Sequence, residues 1–144
     1  RRCLVIADGF YEWKKTTVPR KKGQQKGKKQ PYYIPLADQV LLGMAGLWES
    51  WESGDGSYVE SCTILTTEPN AMMQTIHHRM PVILHPKDYD QWLDPAEQKT
   101  AQQSNRLQSL LCPYEADGMQ MYPVSTEVNS PRHECAACIE PVDL

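Results

Sequence analysis

The residues best suited to chemistry lie in Ile76-His77-His78-Arg79-Met80-Pro81-Val82-Ile83-Leu84, where two imidazoles and a guanidinium abut a Pro-led apolar run. The run reads as a buried strand, so titratable groups stand at the end of a rigid element, where their geometry can be held. Upstream, Thr66-Thr67-Glu68-Pro69 reads as a helix start with Thr67 as its N-cap, and Met72, Met73 and Ile76 follow at helical spacing. The pattern is strand, short helix, His-His-Arg corner, strand. A purely architectural alternative is a capped helix whose C-terminal dipole is favoured by His and Arg.

Glu12 is the second candidate, one carboxylate among the rings of Phe10-Tyr11-Glu12-Trp13. Buried among them it could act as an acid or base; strand alternation would instead point it outward. His133-Glu134-Cys135-Ala136-Ala137-Cys138 supplies three zinc-type ligands. A structural zinc site wants four and no second pair stands at a suitable spacing, so no metal is expected. Cys3 could be a nucleophile with His77 as its base, but Leu4, Val5 and Ile6 mark it as a strand residue. No phosphate-cradling glycine loop is present.

The elements that must position these groups are mostly strands. Leu4–Trp13 reads as two strands around the Asp8-Gly9 turn. Gln30–Leu36 carries two prolines and suits a sheet edge. Val40–Trp48 and Tyr58–Thr66 read as strands, with a hairpin loop at Ser53-Gly54-Asp55-Gly56-Ser57 between them. His85–Leu93 predicts a short helix with Tyr89, Trp92 and Leu93 inward, and Gln102–Leu111 another, ended by Cys112-Pro113. Met119–Val124 and Ala137–Val142 read as late strands. This order points to an antiparallel sheet or small barrel rather than repeated βαβ units.

A chain of 144 residues can bury the core of one domain, 1–144. No stretch approaches the roughly 20 apolar residues of a membrane helix and no signal-peptide pattern opens it, so a soluble, intracellular location without a membrane partner is expected. Five scattered cysteines argue against a disulfide framework. The net charge of −3 conceals an asymmetry: Lys14–Lys29 carries eight Lys or Arg and no acid, while the other 128 residues hold seven basic against eighteen acidic groups. Such a tract is a solvated loop that could follow a phosphate backbone.

Taken together, Asp8-Gly9-Phe10-Tyr11-Glu12-Trp13, Thr66-Thr67-Glu68-Pro69-Asn70, Ile76–Leu84, Pro123-Val124-Ser125 and Glu140-Pro141-Val142 resemble the SOS response-associated peptidase (SRAP) family. The resemblance implies a mainly antiparallel α+β fold, an irregular bifurcated sheet with a small β-barrel flanked by short helices. It implies sensing of abasic sites in single-stranded DNA, and with it a bacterial cytoplasmic location, nucleoid-associated through DNA; a monomer and no cofactor are expected. An N-terminal cysteine, freed by removal of the initiator Met, captures the ring-opened sugar as a thiazolidine cross-link. By the same resemblance Glu12 and His77 are the catalytic pair, Thr66 and Arg79 line the DNA side with Arg79 on a phosphate, and Trp13 offers a base a stacking surface. The family's Met-Cys-Gly-Arg start and an active-site asparagine are not among these 144 residues, so the chain is expected to be a C-terminal portion that lacks the nucleophile. A non-covalent single-strand binder and a peptidase acting on other proteins are the alternatives.

Overall fold

The structure, a computed structural model, describes residues 1–15, 29–95 and 101–144, with side chains from residue 104 onward in the last segment. The described strands are β1 (Arg2–Ala7), β2 (Phe10–Lys15), β3 (Lys29–Ile34), β4 (Leu42–Glu52), β5 (Tyr58–Ile64), β6 (Thr66–Thr67), β7 (Met80–Pro81), β8 (Ile83–Leu84) and β9 (Tyr122–Pro123). Two short α-helices, α1 (Tyr89–Leu93) and α2 (Ala101–Gln108), flank them. Of the basic tract, residues 16–28 lie outside the described residues; Lys14 and Lys15 end β2 and Lys29 opens β3.

All pairings are antiparallel. β4 is the centre of one sheet, paired with β1, β5 and β8; β3 is the centre of a second, between β2 and β9; β6 and β7 form a third. Leu42-Gly43-Met44-Ala45-Gly46 is continuously buried because β4 is covered on both faces there. Its neighbours divide accordingly. Met44 joins Ile34, Leu36, Leu42, Met73, Met80, Ile83, Tyr114 and Met119, while Ala45 joins Val82, Leu84 and Trp92. The Trp92 indole N–H donates to the Cys3 carbonyl at 2.8 Å, which fixes α1 on β1.

The Pro-led run is buried as its composition predicts, but it serves two sheets. β7 pairs with β6 and β8 with β4, and Val82 is the fork. The Val82 N–H donates to the Leu65 carbonyl and the Ala45 N–H to the Val82 carbonyl, each at 2.9 Å. The architecture is therefore α+β and mainly antiparallel, with a sheet that divides; the small barrel is a correction, since no barrel closes among the described strands.

Four local expectations are revised. The helix after Thr67 is one 3-10 turn, Met73–Thr75, and Asn70 caps it by accepting the Met73 N–H at 2.9 Å. β3 is central despite Pro31 within it. Pro31 cannot donate to the Val124 carbonyl, and the Gln30 side-chain amide donates there instead at 2.9 Å, while the Val124 N–H returns a bond to the Pro31 carbonyl at 3.1 Å. In α1, Trp92 is buried but Leu93 is exposed. Ala137–Val142 is not a strand: Ala136–Cys138 forms a 3-10 turn and Pro141 makes a single bridge to Val124. At Asp8-Gly9, read as a turn or bulge, the chain bends, and the strands it joins, β1 and β2, enter different sheets instead of pairing with each other. There a Cβ on Gly9 would lie 2.5 Å from Cζ of Tyr33, so the Tyr33 ring closes directly over the glycine.

Candidate functional site

Alternation along β2 places Phe10, Glu12 and Lys14 on one face and Tyr11, Trp13 and Lys15 on the other. The first face changes character along its length. Phe10, opposite Ile34, packs on the core; Glu12, opposite Tyr32, is half-buried; Lys14 reaches open surface with its Nζ 6.0 Å from the Tyr32 ring centre. The second face is an aromatic row, with Tyr11 5.2 Å from Tyr33 and Tyr33 5.8 Å from Tyr122. Glu12 is thus not ringed by its sequence neighbours, because alternation turns Tyr11 and Trp13 away from it.

The 3-10 turn delivers His77 from the other side. Its N–H donates to the Met73 carbonyl at 2.9 Å, and Nδ1 lies 2.9 Å from the Arg79 carbonyl and 3.2 Å from the Arg79 N–H. Glu12 Oε1 stands 3.6 Å from the same Nδ1. Two residues 65 positions apart in sequence therefore meet. The Arg79 carbonyl and the Glu12 carboxylate suit a proton on Nδ1 and the Arg79 N–H suits a lone pair there, so this one nitrogen is set to give or to take a proton. Among the described residues Nε2 has no hydrogen-bond partner.

Glu12 and His77 line an open groove of about 890 Å³ together with Trp13, Lys14, Lys15, Lys29, Pro69, Gln74, Thr75, Ile76 and His78. Its chemistry combines three elements: lysines that attract an anion, an indole at the rim, and a carboxylate–imidazole pair that can move protons. Trp13 is tethered by its indole N–H to Asn129 Oδ1 at 2.6 Å. Thr66 and Arg79 are not part of the lining. They hold each other across the β6–β7 ribbon, Arg79 Nε donating to Thr66 Oγ1 at 3.2 Å and Nη2 to the same oxygen at 2.9 Å, and reach the groove only through the Arg79 backbone beside His77.

The remaining sequence candidates separate from this site. Cys3 does not line the groove; on β1 its Sγ faces Gly46, and burial pushes its thiol up, with Cys62 adding to the effect. His133 Nδ1 contacts the Glu127 carbonyl, and the buried Cys138 thiol contacts the His133 carbonyl. No group of three His, Cys, Asp or Glu among the described residues converges to hold a metal. Asn129 and the cap Asn70 carry no local signal of their place, since their partners Trp13 and Tyr114 lie 116 and 44 positions away.

A family model described as SOS response associated peptidase (SRAP) matches residues 1–131. The chain belongs to the SRAP family. Among SRAP relatives, it is 42% identical over 140 residues to the abasic site processing protein YoqW of Bacillus subtilis (strain 168), covering 97% of this chain and 57% of that protein. It is 35% identical over 164 residues to the abasic site processing protein HMCES of Gallus gallus, covering 100% and 44%. A crystal structure of a protein from Bacteroides thetaiotaomicron shares the SRAP chain's fold, with a TM-score of 0.79 at 27% identity over 98% of this chain and 56% of that one. The chain spans about half the length of the curated relatives it matches.

Proposed function

We propose that the groove is the DNA surface of an abasic-site processing protein and that Glu12 and His77 move protons at the damaged sugar. The observation that carries this reading is the 3.6 Å approach of Glu12 to His77 inside a lysine-walled groove, in a chain similar to proteins named for abasic-site processing. An abasic sugar in its open form presents an aldehyde. Condensation with an N-terminal cysteine amine releases water and gives an imine, and addition of the thiol across that C=N bond closes a thiazolidine. Glu12 suits the proton that leaves the attacking amine, and His77 the proton that opens the sugar ring at its oxygen. The lysines hold the strand through its phosphates, Trp13 stacks a base, and Thr66 keeps the Arg79 guanidinium oriented for a phosphate outside the groove lining.

The test uses the protein joined to a segment that supplies a free N-terminal cysteine, and a single-stranded oligonucleotide holding one abasic site. Denaturing gels over time give the rate of the cross-linked species. Glu12→Gln and His77→Gln should each slow it by a factor on the order of 10² or more. Unaltered rates in both variants would sink the assigned roles. The lysines and Trp13 also favour a plainer reading, a non-covalent single-strand binder. Affinity that falls steeply with salt, without any denaturant-resistant species, would select it.

A further inference from the structure

We infer that Asn129 is a positioning residue for Trp13, holding the indole as a platform at the rim of the groove; this rests on the single-strand reading above. Trp13 is near the end of β2, with Tyr11 6.4 Å away as the last ring of the aromatic row beside it. A tryptophan with one such neighbour has rotamers to choose among, and stacking on a base requires one of them. The indole N–H selects it by donating to Asn129 Oδ1 at 2.6 Å.

The anchor is itself held by the sheet that carries Trp13. Pro31 stands directly opposite Trp13 in the β2–β3 register, and its carbonyl accepts the N–H of the fully buried Val124 at 3.1 Å. Ser125 then caps the 3-10 turn Thr126–Asn129, its Oγ accepting the Glu127 N–H at 3.2 Å, and the Ser130 N–H closes that turn on the Glu127 carbonyl at 3.0 Å. Asn129 is thus the end of a short, pinned path that begins across the strand pair from the ring it holds. An oxygen acceptor is the feature required, because the indole can only donate. The Asn129 Nδ2 has no partner among the described residues, so a direct contact to DNA is the rival role that a test must separate.

A double-mutant cycle does so. The full-length protein is compared as Trp13→Phe, Asn129→Leu, the pair together, and Trp13→Ala, by affinity for an undamaged single-stranded oligonucleotide. Trp13→Ala should weaken binding about tenfold or more, the value of one stacked base. Asn129→Leu should weaken it about fivefold, yet add nothing in the Trp13→Phe background, where the N–H it serves is already gone. In the free protein the Trp13 indole N–H resonance, assigned by its loss in Trp13→Phe, should shift and exchange faster with water in Asn129→Leu. An equal loss from Asn129→Leu in both backgrounds, or no loss while Trp13→Ala weakens binding, would overturn the inference. Unchanged affinity in Trp13→Ala would be a failure of the stacking reading itself, and with it of the role given to Asn129.

Discussion

The two strand pairs β2–β3 and β4–β5 have similar lengths of ladder but opposite surroundings. β2–β3 is braced by β9, by the turn that carries His77 and by the 126–129 turn that carries Asn129, so both faces and one edge meet other parts of the chain. Among the described residues β4–β5 is braced at its base. β1 pairs with β4 up to Leu47, the Arg1 carbonyl accepts the Trp48 N–H, the Arg1 guanidinium meets Glu49 at 3.7 Å, and beyond Glu49 the two strands pair only with each other among the described residues, up to the Ser53–Ser57 turn. Every residue of β5 is exposed. Backbone pairing therefore does not by itself make a rigid place for chemistry. The groove residues are fixed because side chains and carbonyls from distant segments converge on them, and an isolated two-stranded hairpin lacks that convergence.

Truncation in the braced region should have the larger effect. Met80, 1% exposed, lies in the main core cluster directly after the His-His-Arg corner, and its sulfur meets the Asn70 N–H at 3.4 Å. Met80→Ala should cost about 3 kcal/mol, from lost burial and the cavity left behind. Denaturant unfolding measures it, and a loss below about 1 kcal/mol would show that the corner is not held by its core.

A smaller, pH-dependent effect belongs to the same region. Burial, together with a hydrogen bond to Asp8 and that carboxylate's charge, pushes the Tyr33 hydroxyl well above the ordinary tyrosine range. A raised folded value means that the phenol's contribution is fully present below about pH 10, where the unfolded tyrosine titrates, and is lost as pH rises further. Unfolding midpoints measured from about pH 8 to 11 should therefore fall at the alkaline end, and fall less in Tyr33→Phe, with Tyr11 and Tyr114, also raised, supplying part of the remaining slope. Parallel curves for the two proteins would remove Tyr33 as a source.

Much of the braced region was legible in the sequence because short, specific signals wrote it: the apolar run after Arg79, the strand break at Asp8-Gly9, and Met72, Met73 and Ile76 at one face. What was not legible depends on partners far along the chain. Pro31 argued for an edge strand, and only Gln30, reaching Val124 in place of the missing N–H, makes a central position tolerable. Thr67 had the right type for a cap, but Asn70 has the right distance. The three rings around Glu12 left a buried acid and an outward one both open; alternation gives Tyr11 and Trp13 to the opposite face, and the neighbour Glu12 does have, His77, comes from 65 positions away. For the 126–129 turn, nothing near Asn129 announces an indole as its partner.

The smallest effect should come from the arm. Trp51 is 61% exposed, stands opposite Val59, and lies beyond Trp48, where the last backbone bond to the β1 end of the chain is made. A tryptophan truncated in a core typically costs about 3–5 kcal/mol, but here most of the ring already meets solvent and only the cross-strand contact can be lost. Trp51→Ala should therefore cost no more than about 1 kcal/mol in the same unfolding measurement. A cost near that of Met80→Ala would mean that the arm is buried in the folded protein, and the contrast between the two strand pairs would then describe covering by another segment or chain instead of intrinsic bracing. A small cost would leave the contrast as drawn, with the groove's rigidity owed to side chains that cross between sheets.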